Sequence, residues 1–175
     1  MKVLRTTEQE VSAFNVGDVI EFTLNDGEQV QAMAVKQEGE RTLFCLVDCL
    51  KDEETMRRLP DKLNTSILDR FPQEIRDKMV PFADGRKLRL PTEKEMFGKN
   101  EYGEDEGETV QQWAAMKNRR NRIAFQGKGG PLEWYWTETK YRVYDDYFAL
   151  VNYAGRAGGS YGAGNSLGVR PVFQF

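Results

Sequence analysis

The chain has 175 residues, long enough to bury a core and short enough to form one domain. Hydrophobic residues make up 39% and charged residues 30%, a mixture too apolar for disorder. The formal net charge of −3 sets up no field that would gather nucleic acid or an anionic membrane. No apolar run reaches the ~20 residues of a membrane span.

The opening stretch, Met1 to Phe14, has no apolar signal core, so no ordinary export leader is expected. A β-meander follows. Val19 to Leu24 alternate apolar and polar, and Asn25-Asp26-Gly27 supplies a hairpin turn. A second strand over 29–35 leads to a turn at Glu38-Gly39-Glu40. The most apolar strand, over 41–50, carries Cys45 and Cys49. On one strand face they would stand about 13 Å apart, at ~3.3 Å per residue, too far for a disulfide. Two buried thiols in a reducing compartment are expected.

The middle third reads as helical and irregular. Asn64 or Thr65 is the expected cap of one helix, and Pro72 suits the first turn of the next. A short strand, "KLRL", leads to "PTEKEMFG", where Thr92 and Glu95 form a capping box and Gly98 stops the helix. Glu101, Glu104, Asp105, Glu106 and Glu108 lack calcium-loop spacing and read as a solvated loop. Val110, Trp113 and Met116 fall on one face of a further helix. Lys117, Arg119, Arg120 and Arg122 make a short basic run, too slight in an acidic chain to predict nucleic-acid binding.

The last third returns to strands. In "EWYWT", Trp134 and Trp136 share one face and Tyr135 takes the other. "DYFALVN" is a second strand, and "VRPVFQF" ends the chain with Pro171 marking an edge strand or bulge. Glycines crowd the segment from Gly155 to Gly168. A phosphate loop would open a helix, but this segment leads into a strand pattern and lacks the G-K-[ST] lysine. An irregular connection and a display loop remain. The interleaved Tyr153, Arg156, Tyr161 and Asn165 favour display, because tyrosine gives contact area at low entropic cost while glycine, serine and asparagine adapt.

Histidine is absent, which removes the commonest general base and metal ligand and every histidine-activated nucleophile. No catalytic residue, metal or cofactor is therefore expected.

"LRLPTEKEMFG", residues 88–98, resembles the R-L-P-T-E-x-E-W motif of formylglycine-generating-enzyme-like domains. "GVRPVF", residues 168–173, is similar to the G-[VF]-R-P ending of that superfamily and of related bacterial and phage domains. The opening meander resembles the N-terminal part of those uncharacterised domains. The resemblance implies a C-type-lectin-like fold. The catalytic members use a late cysteine pair or histidines, and this chain has no cysteine after Cys49 and no histidine. The binding members, among them phage receptor-binding tips and the variable proteins of diversity-generating retroelements, display side chains from a C-terminal surface. The corresponding segment here runs from Trp136 to Asn165. The relatives' W-W-L-R-S is replaced by Trp134-Tyr135-Trp136-Thr137-Glu138.

The expected architecture is one α+β domain with a C-type-lectin-like fold preceded by an N-terminal β-meander: meander 1–50, helical and loop region 51–126, C-terminal strands and display loop 127–175. The expected function is non-catalytic binding of a protein or glycan, cytoplasmic or virion-associated, through Trp136, Tyr141, Asn152, Tyr153, Arg156, Tyr161 and Asn165. Nucleic acid and membrane insertion are not expected, and homo-oligomerisation is left open. The alternatives are a structural virion or assembly protein using the fold as scaffold and, third, an enzyme of the superfamily.

Overall fold

A computed structural model describes residues 1–4 and 14–175, apart from the side chains at 3 and 160. Most of the segment read for a leader, residues 5–13, lies outside the described residues. The fold is α+β, with more strand than helix and several small antiparallel sheets.

The largest sheet is the meander closed by the end of the chain. β1 (Lys2–Leu4), β2 (Val19–Thr23), β3 (Gln29–Glu38) and β4 (Arg41–Leu46) run in order, each antiparallel to the last. Gly27 and Gly39 take the positive φ that the two hairpin turns require. Alternation fixes the faces. Val30, Ala32, Ala34, Phe44 and Leu46 enter one core cluster; Val35, Leu43 and Cys45 enter a second on the opposite side. A two-residue strand, β5 (Glu54–Thr55), then leads into α1 (Leu59–Lys62).

α1 continues into a wider π-turn over Leu63–Ile67. Asn64 caps neither segment. Its Oδ1 accepts from the amides of Lys87 and Leu88, both at 2.9 Å, and its Nδ2 donates to Leu88 O at 2.8 Å. The side chain is recruited to satisfy a remote strand-like segment. α2 (Gln73–Lys78) starts with Pro72 as its N-cap, one position before the expected first turn.

The stretch read as the "KLRL" strand makes only one bridge, Arg89 to Val172. α3 (Glu93–Phe97) has the full capping box between Thr92 and Glu95, and Gly98 ends it in the left-handed region. The helix expected through Val110, Trp113 and Met116 is corrected: only Ala114–Lys117 forms a short 3₁₀ turn. Trp113 and Met116 are still buried, held by Trp113 N donating to Glu95 O and by Gln112 Nε2 bridging Met96 O and Met116 O. A second 3₁₀ turn spans Arg119–Arg122.

β6 (Ala124–Phe125) and β7 (Leu132–Glu133) form a short hairpin. β8 (Tyr135–Lys140), β9 (Tyr147–Val151) and β10 (Ala157–Gly162) make a three-stranded sheet in the order β10-β9-β8. β11 (Ser166–Leu167) pairs with β5, and β12 (Val172–Gln174) pairs with β4 at the edge of the large sheet. The edge position expected from Pro171 is observed. The glycine segment is not the irregular loop expected. Its centre, Ala157–Gly162, is β10, where Gly158 lies against Leu150 and Gly159 lies under the Tyr102 ring. Glycine is needed there because a Cβ on Gly159 would sit 2.6 Å from that ring.

Trp136 and Leu150 enter the first core cluster, while Tyr135 and Val151 enter the second. The small sheet thus contributes to the same two cores as the large one. Both cysteines are buried free thiols, and burial pushes each thiol above its ordinary range.

Candidate functional site

The β8–β9–β10 sheet has a connection at each end. Residues 141–146 join β8 to β9, and residues 152–156 join β9 to β10. Asn152 builds the second turn: its Oδ1 accepts from the amides of Ala154 at 2.9 Å and Arg156 at 3.1 Å. Gly155 follows with a positive φ of 69° and donates its amide to Asn152 O at 2.9 Å. The Oδ1 of Asn152 is therefore spent on the backbone of its own turn.

The basic run lies beneath this turn. Arg119 Nη1 donates to Ala154 O at 3.2 Å, and Arg122 Nε donates to Gly155 O at 2.9 Å. Two of its cations thus bracket a loop rather than face a polyanion. Arg122 also donates to Met116 O at 2.6 Å.

So supported, the turn holds Tyr153 outward, half exposed at 51%. Its ring lies 5.3 Å from that of Trp134, and Trp134 meets Tyr161 edge-on at 5.1 Å. Tyr161 is half-buried on β10 and packs against the first core. Trp134 occupies the break between β7 and β8, and its indole Nε1 is buried with no hydrogen-bond partner among the described residues. Arg156 is exposed beside this cluster in sequence. Asn165 is exposed in the β10–β11 turn, where its Nδ2 donates to Gly162 O at 3.2 Å.

The remaining expected residues lie elsewhere. Trp136 is fully buried, with its Nε1 donating to Glu54 O at 2.8 Å, so it cannot meet a ligand at the surface. This corrects its assignment as a display residue: β8 turns it into the first core, where it packs against Phe148. Tyr141 stands at the opposite end of the sheet. There it forms a second aromatic group with Tyr144, 5.8 Å away, and Tyr147, 6.3 Å away. Tyr144 is 59% exposed. The expected single surface is thus two aromatic groups at the two ends of one sheet.

Trp134, absent from the expected binding residues, is the centre of the near group. It keeps the face that alternation gives it, packing with Trp136 on the first core while Tyr135 enters the second.

The acidic loop is not simply solvated, as expected. Glu93 is buried, and its carboxylate accepts from Asn100 Nδ2 at 3.1 Å and from the amides of Tyr102 and Gly103, each at 3.0 Å. Glu106 turns inward and accepts from Lys94 N at 3.0 Å, Asn100 Nδ2 at 2.6 Å and Thr139 Oγ1 at 3.1 Å. These bonds tie the loop to α3 and β8. Glu101, Glu104, Asp105 and Glu108 are exposed.

Among the described residues, no group of three or more His, Cys, Asp and Glu is placed to hold a metal ion. What the aromatic groups can do chemically is stack on and hydrogen-bond to a partner. No protein-family model, curated protein or solved structure matches this chain.

Proposed function

We propose that this chain is a non-catalytic binding module with a C-type-lectin-like fold, and that it takes a protein or glycan ligand on the Trp134–Tyr153–Tyr161 group with Arg156 at its edge. One observation carries the reading: an exposed tyrosine stands over a tryptophan whose buried indole N–H lacks a partner among the described residues, on a turn braced by two arginines. A rigid aromatic platform with a polar rim suits stacking on a sugar face or anchoring a partner's side chain. The lectin-like assignment is supported by the roles of the two resembling motifs. In residues 88–98, Thr92, Glu93 and Glu95 are all spent on internal bonds, and Arg170 of residues 168–171 is buried. Motifs of that kind serve as scaffold, which leaves recognition to the surface between them.

The test is a glycan array, with cross-linking to cell-surface proteins in parallel, run on the wild type, Tyr153→Ala and Arg156→Ala. We expect a ligand whose affinity falls tenfold or more in both variants, as for interface hot spots. A ligand held equally by wild type and both variants would place recognition elsewhere and overturn the reading.

A further inference from the structure

The second aromatic group lines a cleft of about 360 Å³, with Tyr141, Tyr144 and Tyr147 on its walls. That volume falls in the range of small-molecule sites. The backbone brings the rings together. Asp146 takes a positive φ of 64°, and Tyr141 N donates to Tyr147 O at 2.9 Å, so the chain doubles back and sets Tyr147 beside Tyr141. The three ring centroids lie 5.4–6.3 Å apart, and every pair of rings is inclined by 48–54°. Rings so inclined are angled walls, not a stack whose faces cover one another. Tyr141 and Tyr147 are half-buried, and Tyr144, 59% exposed, forms the open side.

The charges around the cleft favour a cation. Glu104, Asp145 and Asp146 line it against one ammonium, that of Lys140. Glu104 is placed there by its amide, which donates to Lys140 O at 2.8 Å. Asp146 is paired to Arg57, which is not a lining residue. Arg142 lines a different cleft with Lys94 and Lys99, and donates to the carbonyls of Asn100 and Tyr102. With Arg57 and Lys140 both set against the three carboxylates, one negative charge remains. Neither Glu104 nor Asp145 has an ion-pair partner among the described residues.

The kind of cation follows from the walls. Among the described residues no three metal-ligating side chains are grouped to hold an ion, so the carboxylates do not form a metal site. Aromatic faces attract a cation through their quadrupole but offer it no hydrogen-bond acceptor. A primary ammonium or a guanidinium would leave N–H donors unpaired against them. A quaternary ammonium has no N–H to satisfy.

We infer that the Tyr141–Tyr144–Tyr147 cleft is a binding site for a quaternary ammonium group, held by the three ring faces with Glu104 and Asp145 at the rim. The site shares no residue with the surface at Trp134 and survives its failure.

The probe is choline, titrated as its chloride into protein labelled at its tyrosine rings and followed by NMR, with sodium chloride at matched concentration as the baseline. Saturable shifts are expected at Tyr141, Tyr144 and Tyr147. The neutral carbon isostere of choline, 3,3-dimethyl-1-butanol, should bind about fivefold or more weakly, because it has the shape without the charge. Tyr144→Ala should cost choline about fivefold, and Tyr144→Phe, which keeps the ring face, should stay within about twofold of wild type. Asp145→Asn should weaken choline by about twofold or more and leave the isostere unchanged. Tyr144 and Asp145 are exposed, so the melting temperatures of the free variants should match wild type. Phosphocholine in parallel separates the sources: tighter binding than choline marks a headgroup and weaker binding a free cation, each with the ammonium in the cleft. Shifts absent from these rings, equal binding of choline and its isostere, or a choline affinity unmoved by Tyr144→Ala would each overturn the inference.

Discussion

Arg170 donates from Nε to Leu46 O at 2.5 Å, from Nη1 to the Tyr135 hydroxyl at 2.8 Å and from Nη2 to Asn121 O at 2.9 Å. It is only 1% exposed, and no carboxylate is among those three partners. One side chain thus ties β4, β8 and the Arg119–Arg122 turn together in the dry interior. Arg170→Ala strands these acceptors, at ~1–3 kcal/mol for each buried group left unmade. A loss of ~3 kcal/mol or more is expected, a large share of the ~5–15 kcal/mol typical of a domain. Arg170→Lys should rescue little, since one ammonium cannot reproduce a three-way fork. Arg156→Ala, on the exposed turn, should stay within about ±0.5 kcal/mol. Urea midpoints of the three variants check this, and equal midpoints for Arg170→Ala and wild type would refute it. Glu133 makes a second residue-scale case. It is 5% exposed, and burial, with the neighbouring Glu53 carboxylate adding to it, pushes its carboxyl from an ordinary 4.5 up to about 7. The folded state then holds the proton more tightly than the unfolded one. Its contribution to stability is complete below pH 4.5 and is lost as pH rises through about 7. Unfolding free energies measured across that window should fall with rising pH, and Glu133→Gln should flatten that part of the slope.

At the scale of elements, the capping box was legible because its two residues lie three apart and satisfy each other locally. Its other attachments were not. Glu95 also takes a two-bond grip from Arg89, with both contacts at 2.7 Å, and this joins α3 to the segment that bridges β12. The glycine segment was misread for the opposite reason. Glycine leaves no alternating side chains, so β10 carries no period-two signal and its pairing to β9 is decided by what packs on it. Gly168, which links β11 to the closing strand, is also required by close approach. A Cβ there would lie 2.4 Å from Glu133 Cγ, 2.8 Å from Cys49 Sγ and 3.0 Å from Trp134 O. Its amide donates to Trp134 O at 2.8 Å and its carbonyl accepts from Trp136 N at 3.2 Å, so the backbone has little room to withdraw. Gly168→Ala is expected to cost ~1–3 kcal/mol by overpacking. Gly164→Ala should be tolerated, because its nearest neighbour at 3.1 Å is the mobile end of the Arg57 side chain. Melting temperatures of the two variants separate these outcomes, and a tolerated Gly168→Ala would remove the close-approach argument.

For the whole molecule, the decisive feature is that strands from the two ends of the sequence share one sheet. β12 pairs with β4, and Phe173 sets its ring against Phe44 at 5.5 Å, Phe71 at 5.9 Å and Phe22 at 6.3 Å. These rings come from β4, from the residue before Pro72, and from β2. A single aromatic therefore connects the meander to the helical region. Phe173→Ala should cost ~3–5 kcal/mol through lost burial and the cavity left behind. Phe125→Ala, at a ring 41% exposed, should change stability far less. Denaturant unfolding of both proteins checks the contrast, and comparable losses would show that Phe173 is not the junction described.

The sequence by itself determined what depends on near neighbours. The hairpin turns at Gly27 and Gly39 follow from φ preferences, the meander's faces follow from alternation, and the Thr92 cap follows from local bonding. The tertiary structure decided what depends on residues far along the chain. Trp136 is buried because Glu54, 82 positions away, accepts its indole N–H, while Tyr153 is exposed because the arginines beneath its turn hold it outward. Asn64, a plausible cap by type, was drawn to Lys87 and Leu88, and Glu106, a plausible surface charge by composition, was drawn to Thr139. A polar side chain's type states how many bonds it must make. Which partners are in reach when it leaves water is set only once remote segments pack against each other.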